Sequence, residues 1–398
     1  MPGPLAGLLA LDLTRILAGP FCGMTLRDLG AEVIKIEHPL GGDPARGNGP
    51  FIGEYSSYFL SVNRGKKSVT LDLSKPEGKD LLIKLAKRAD ILIENFVPGT
   101  MAGFSVGYDA LKKHNPRLIY CAISGFGQTG PYASKPALDI IVQAMGGIMS
   151  VTGEPGGRPL RPGTSIADVV GGMYGVIGIL SALHERKKSG KGQLVDISML
   201  DCQLAIQEGA LSRYFVTGDV PKPIGSRHPI FTPFDSYQGS DGKWFVVAII
   251  GGRVDQWPLF CSIIDRVDLI DKPEFGTGWL RTQNHAQLNP ILLDTFKAKP
   301  SHEWLRAFAE VGIACGPVNT IDQVASDPQI AARKMIVAVR AKKSGRVKVV
   351  GNPIKLSRTP SEVRTASPGL GEHNSRVYGA MLKQSKKRLA ELKKKGVL

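Results

Sequence analysis

The sequence predicts an α/β fold, a parallel sheet covered by helices on both faces, followed by a smaller α+β domain. Three observations carry this. Short apolar runs alternate with helix-patterned segments through the first half of the chain. A Gly/Pro-rich connection then leads into one long apolar helix. From about Pro221 the texture changes, and aromatic residues and turns dominate. A length of 398 residues suits two domains, or one large domain with an insert.

Leu8–Leu13 is an apolar run bounded by Thr14, the first strand. Gly19-Pro20 opens a helical segment with Phe21, Met24 and Leu29 on its apolar side, closed by Gly30. Ala31–Ile36 is a β-branched strand ending in Glu37. Ser68–Leu73 alternates with period two; a helix capped by Ser74, with Pro76 in its first turn, follows. Ala89–Glu94 and Arg117–Ser124 are further strands. Pro131 to Arg161 reads as a connection with one short helix, and a long helix runs from about Ile166 to Lys188, stopped at Ser189-Gly190. Gln193–Ser198 is a strand, and a helix continues to about Thr217. Residues 222–325 form the smaller domain, with a hairpin turn at Gly239–Gly242. A helix from Asp327-Pro328 to about Lys334, strands near Val337–Arg340 and Val347–Val350, and a basic C-terminal helix complete the chain.

Composition narrows the function. Hydrophobic residues are 42% and charged residues 22%, ordinary globular usage, and the 47 Gly and 27 Pro show no collagen period. Lys and Arg number 51 against 35 Asp and Glu, a net +16 that admits nucleic acid, a membrane surface or a phosphorylated ligand. Part of that charge is C-terminal, from Lys383 to Lys395. No RNA-binding signature accompanies it, so no specific nucleic acid is expected. The five cysteines, at 22, 121, 202, 261 and 315, form no CxxC pair and point to a reducing, cytoplasmic setting. Neither HExxH nor paired CxxC occurs, so no metal is expected. No secretory leader is expected, because Asp12 and Arg15 interrupt the first apolar stretch. The run between Asp168 and His184 is shorter than the roughly 20 residues of a membrane span, so it reads as a buried helix and no membrane partner is expected.

Three motifs bear on chemistry. Gly125-Phe126-Gly127-Gln128-Thr129-Gly130 matches G-x-G-x-x-G after a strand, but Pro131 and Pro136 obstruct the helix a dinucleotide site needs. A tight glycine turn shaping a ligand loop is the better reading. Asp168 falls in the first turn of the long helix, after Arg161-Pro162-Gly163. It is either a plain N-terminal helix charge or a carboxylate held ionised at a cleft, able to attack an activated acyl group. Gly251-Gly252 follows the strand Trp244–Ile250; its N–H groups either approach a developing oxyanion or serve only the turn.

Several blocks stand in a specific order: Ala18-Gly19-Pro20, Ala31-Glu32-Val33-Ile34-Lys35-Ile36-Glu37, Gly42-Asp43-Pro44 and Tyr58 to Ser68. Glu94-Asn95-Phe96-Val97-Pro98-Gly99, Ser124-Gly125-Phe126-Gly127, Gly190-Lys191-Gly192-Gln193 and Gly316-Pro317-Val318 continue it. In this order they resemble the family III CoA-transferases, the group of formyl-CoA transferase and carnitine CoA-transferase, nearly end to end. The resemblance implies a Rossmann-like large domain built from both chain ends (1–221 and 326–398), a small domain between them, and an interlocked homodimer. It makes Asp168 the catalytic aspartate. Coenzyme A would lie near Leu17, Ala18, His38, Leu71, Asn95, Phe96, Val97, Leu138 and Asp139, as a thioester substrate with no permanently bound cofactor. Gly251-Gly252 would be the flexible glycine loop that shields an aspartyl anhydride from water.

Two departures from the family pattern stand out. Many members carry an Arg facing the CoA phosphates where this chain has Gly103. Many carry a Tyr where it has Leu138, ahead of Asp139. The related α-methylacyl-CoA racemases need a His at that second place as the opposing base, and a leucine moves no proton, so the transferase reading is preferred. The blocks most resemble the branch that uses succinyl-CoA and dicarboxylates, Arg227-His228-Pro229 and Trp304-Leu305 among them. Arg64, Arg227, His228 and Arg253 are the candidate cations for a second carboxylate.

Overall fold

The computed structural model describes residues 3–250, 256–342 and 345–398. They form two compact units, one of residues 3–148, 161–217 and 328–398, the other of 149–160 and 218–327.

The first unit is organised by six parallel strands: β1 (Leu9–Asp12), β2 (Glu32–Glu37), β3 (Lys67–Thr70), β4 (Ile91–Glu94), β5 (Ile119–Ser124) and β6 (Leu194–Ser198). Their order is β3-β2-β1-β4-β5-β6. It is the order of doubly wound nucleotide-binding sheets, which reverses direction between the first and fourth strands. Ala10 of β1 pairs with Val33 on one side and Ile91 on the other. Ile91, Leu92 and Ile93 are fully buried, as a central parallel strand covered on both faces requires.

Two helices position the site. Helix α1 (Ala18–Asp28) leaves the end of β1. The long helix, Ile166–Ser189, ends at Gly190 in the left-handed conformation, the stop read from the sequence. Among the described residues it is the helix long and apolar enough to cross a membrane, yet Val176, Ile179, Ala182 and Leu183 bury into the sheet-side core of the unit. Gly172 lets the two helices meet: a Cβ there would stand 2.6 Å from the Ala18 carbonyl oxygen.

Local departures have local causes. Ser74 does not cap the helix Pro76–Ala86; its hydroxyl donates to Asp72 Oδ1 instead, and the helix starts one residue later. The helix expected to reach Thr217 breaks into Met199–Ala205 and Glu208–Thr217, and at the break the Gln207 amide donates to the Gly146 carbonyl. The exposed edge of β3 is met by the C-terminal segment, where Asn374 accepts from the Thr70 N–H and the Tyr378 hydroxyl donates to the Thr70 carbonyl.

In the second unit, residues 149–160 group with 218–327 rather than with the 1–221 stretch around them; the Gly225 N–H donates to the Gly153 carbonyl. Its strands Phe234–Gln238, Trp244–Ala248 and Ala314–Pro317 form an antiparallel sheet with Trp244–Ala248 in the middle. The hairpin turn lies at Gly239–Gly242, where Gly242 has φ 72°, a conformation suited to glycine.

Candidate active site

The turn from β1 into α1 is fixed by buried charge. Asp12 accepts from Lys66 Nζ at 2.7 Å, from the Thr14 N–H at 2.9 Å and from the Thr14 hydroxyl. Lys66 also donates to the Pro20 carbonyl and to Asn63 Oδ1. Lys35 Nζ donates to the Thr14 carbonyl at 2.7 Å and pairs with Asp43 Oδ2 at 2.9 Å. Burial opposes ionisation of Asp12 and Asp43, but the neighbouring ammonium groups outweigh it and hold both below the usual carboxylate range. Asp43 Oδ1 accepts from the Ile16 N–H at 3.1 Å. Ile16 has φ 64°, unfavourable for a β-branched residue, and a local cost of roughly 1–3 kcal/mol persists only where surroundings over-determine it.

A cleft opens at the carboxyl ends of these strands, where the strand order reverses. It is lined by Leu13, Thr14 and Arg15 after β1, His38 after β2, Leu71 and Asp72 after β3, and Phe96 after β4. It measures about 170 Å³, below the roughly 300–1,000 Å³ of a pocket enclosing a drug-sized ligand, so it can enclose only part of a molecule as long as CoA. His38, Leu71 and Phe96 of the sequence-derived set meet here. Asn95 stands behind them, its side chain bonded to the Arg15 backbone. Leu17 and Ala18 begin α1 at the turn itself, and Val97 is half exposed.

Asp168 lies in the first turn of the long helix, with Asp139 against it. Asp139 Oδ1 accepts from the Ala167 N–H at 3.0 Å and the Asp168 N–H at 3.5 Å. Asp139 Oδ2 accepts from Gln143 at 2.7 Å, and Arg161 is 3.9 Å away. Here the structure corrects the expectation of an Asp168 kept ionised by the helix start. The first N–H groups serve Asp139, and burial, followed by the Asp139 charge, pushes the Asp168 carboxyl up to about 7. A carboxylate in such a place is a stronger base and nucleophile than an exposed one. Tyr58, in the helix Ser57–Asn63, faces the same charges: burial, then Asp168, Asp43 and Asp139, raise its phenol.

The remaining candidates are placed as follows. Leu138 is largely exposed ahead of the helix Asp139–Met145. Arg64 is no acceptor cation, because it is buried and paired with Asp28. Arg227 and His228 belong to the second unit; Arg227 stands near His285, and the His228 ring stacks on Phe231 while Nδ1 accepts from the Ile230 and Phe231 N–H groups. Gly251, Gly252 and Arg253 lie outside the described residues. Gly125 begins a tight turn, not a helix: a Cβ there would stand 2.1 Å from Ala137 Cβ, and the Gln128 N–H donates to Asp196. Sequence reasoning missed Arg15 and Tyr58. The signal for Arg15 was a cation in the turn that follows the first apolar strand.

Comparison with known proteins gives consistent matches over nearly the whole chain. A family model described as CoA-transferase family III matches residues 5–374. An acetyl-CoA:oxalate CoA-transferase of Acetobacter aceti is 43% identical over 94% of each chain. A succinyl-CoA:glutarate CoA-transferase of Homo sapiens is 34% identical over 99% of this chain and 90% of its own. Among solved structures, a CAIB/BAIF family protein from Brucella suis aligns with TM-score 0.85 and 37% identity, covering 96% of this chain and all of that one (100%).

Proposed function

The chain belongs to CoA-transferase family III, and from that premise we propose that it moves coenzyme A from an acyl-CoA, succinyl-CoA among the donors, to a small carboxylic or dicarboxylic acid. The observation that carries this reading is the Asp168 carboxyl, half-buried at a helix start and made more basic by its surroundings. As carboxylate it attacks the donor thioester, forming a mixed anhydride and releasing CoA thiolate. The thiolate attacks the aspartyl carbonyl, expels the donor acid and leaves an aspartyl-CoA thioester. The acceptor carboxylate attacks that thioester, giving a second anhydride and free thiolate. Attack of the thiolate on the acceptor carbonyl yields the new acyl-CoA and regenerates Asp168. One thioester is traded for another, and no proton need be gained or lost. Water is the competitor at each anhydride, so a nucleophile partly withdrawn from solvent serves the reaction.

In this reading CoA runs over the cleft at the ends of β1–β4. The racemase reading lacks its second base, because the place is taken by Leu138. The large Rossmann-like domain, drawn from both chain ends, belongs to an interlocking homodimer working in the cytoplasm. Met173 and Ile177, half exposed on the long helix, are candidates for that interface. Mass spectrometry during turnover tests the mechanism. An acyl or CoA adduct is expected on Asp168, and Asp168→Asn should abolish both adduct and exchange, a loss of at least several hundredfold, while CoA still binds.

A further inference from the structure

Arg15 is a cation for which the reaction above has no use. It follows β1 beside the end of β4, at the reversal point of the strand order, and in sheets of this order ligands bind in the crevice there. Its backbone is held in both directions by one side chain: its N–H donates to Asn95 Oδ1 at 2.8 Å, and its carbonyl accepts from Asn95 Nδ2 at 2.9 Å. The next residue is Ile16, in the left-handed conformation that Asp43 holds. The guanidinium lies over the Phe96 ring, 4.8 Å from its centroid. Among the described residues no carboxylate comes within 4.0 Å of it. Arg46, Arg64 and Arg186 differ, since each is paired, with Glu37, Asp28 and Asp90 respectively. The turn is thus held by buried charges and a strained residue, and it presents a charge that no described carboxylate neutralises. Position 103, next to Phe104 in the cleft wall, supplies none. A Cβ on Gly103 would meet nothing within 4 Å, so a side chain has room there and is missing.

We propose that Arg15 contacts a phosphate of coenzyme A and contributes affinity for the nucleotide end of the substrate, not for the acyl end. This rests on the CoA-transferase reading. A guanidinium is a planar fork that meets two phosphate oxygens at once, and its contact with the Phe96 ring limits where the fork can sit. The pyrophosphate and the 3′-phosphate offer the same chemistry, and the ligand series below separates them.

The experiment is a calorimetric titration of wild type, Arg15→Gln and Arg15→Lys with CoA, 3′-dephospho-CoA and pantetheine, joined to steady-state kinetics on an acyl-CoA that wild type accepts. Arg15→Gln should weaken CoA about tenfold or more, which is about 1.4 kcal/mol, and leave pantetheine binding unchanged. Arg15→Lys should recover part of the loss. In kinetics the KM for acyl-CoA rises by a similar factor, while kcat and the KM for the acid stay within about twofold. If the variant's penalty vanishes with 3′-dephospho-CoA, the contact is to the 3′-phosphate; if it persists, the contact is to the pyrophosphate. An equal penalty on CoA and pantetheine, or none on either, overturns the proposal. Failure of the CoA-transferase reading shows differently, as wild-type protein that exchanges CoA between no pair of acids, and the titration with CoA decides the Arg15 contact even then.

Discussion

Asp12, Lys35, Asp43 and Lys66, none more than 3% exposed, are gathered beside the β1–α1 turn of the first unit, whereas the interior of the second is built from rings. There Phe260 and Phe308 stack with centroids 5.4 Å apart, and Phe296 meets Trp304 edge-on at 5.4 Å. The buried cation of that core, Arg281, donates to the Thr232 and Phe275 carbonyls and lies over Trp257. The two interiors serve different ends. A ring cluster gains stability from apolar area and tolerates small shifts in shape. A buried charge network is stable only when each lone pair and proton is met, so it admits one geometry and transmits that geometry to the backbone it holds. The network borders the candidate cleft and sets the strained turn, and the rings form the interior of a separate unit.

Breaking the network should give the largest effect. Lys66→Ala leaves Asp12 buried without its cation and should destabilise the protein by about 3–5 kcal/mol in denaturant melts. The double variant Asp12→Leu with Lys66→Met should recover more than half of that stability. It should not recover CoA affinity, because the Thr14 N–H and hydroxyl lose their acceptor and the turn loses its shape. Full recovery of both would mean that the network adds stability alone.

A second test concerns Glu94, an acid of the same unit with no cation beside it among the described residues. Its side chain accepts from the Phe96 N–H and the Tyr120 hydroxyl, and burial pushes its carboxyl up to about 7 from an ordinary 4.5. The native state therefore keeps a proton that the unfolded chain has already released. Stability falls as pH rises from 4.5 through about 7. Glu94→Gln, which keeps an acceptor for Phe96, should be more stable than the parent by up to about 3 kcal/mol at pH 8, with the gap closing below pH 4.5. A gap independent of pH would show that Glu94 is not titrating in this window.

In the ring core a smaller loss is expected. Phe260→Leu keeps the site apolar and removes part of one ring, so unfolding should cost on the order of 1–2 kcal/mol less. CoA affinity should stay at the parent value, the opposite of the network variants. A matching fall in affinity would show that the two interiors are not independent.

What the sequence disclosed follows the same division. The strands of the first unit were readable because Ile91 to Ile93 and their like are apolar without interruption, and Gly190 and Gly242 marked a helix end and a turn by conformations that few other residues adopt. Asp168 could be found from its helix position and from resemblance. The buried network could not, since Lys35 on β2, Asp43 after it and Lys66 before β3 meet Asp12 only once the topology sets their strands side by side. Nor could the basicity of Asp168, which comes first from burial in the folded chain and then from Asp139, arriving from 29 positions earlier to occupy the helix start. Arg64, one of four candidate acceptor cations, proved structural for the same reason: its partner Asp28 is remote in sequence and adjacent in space.

The smallest effect is the most specific. Asp139 adds a like charge beside Asp168 and also caps the helix that carries it. Asp139→Asn removes the charge and keeps an oxygen for the Ala167 and Asp168 N–H groups. The neighbouring Gln143 can adapt, because its Oε1 is buried and accepts no hydrogen bond among the described residues, so a flip of that amide receives the new N–H. In the parent, the first acylation step should rise with pH through about 7, as Asp168 releases its proton. In the variant the rise should come at lower pH, yet not as low as an exposed carboxyl, because burial, the larger cause, is untouched. Stability should change in step: native Asp168 holds its proton above the ordinary 3.8, so the parent loses stability between about 4 and about 7, and the variant loses less. Rapid-quench measurement of the aspartyl adduct across pH 5 to 9 reads the shift directly. An unmoved profile would mean that Asp139 shapes the helix start without being felt by the carboxyl it caps.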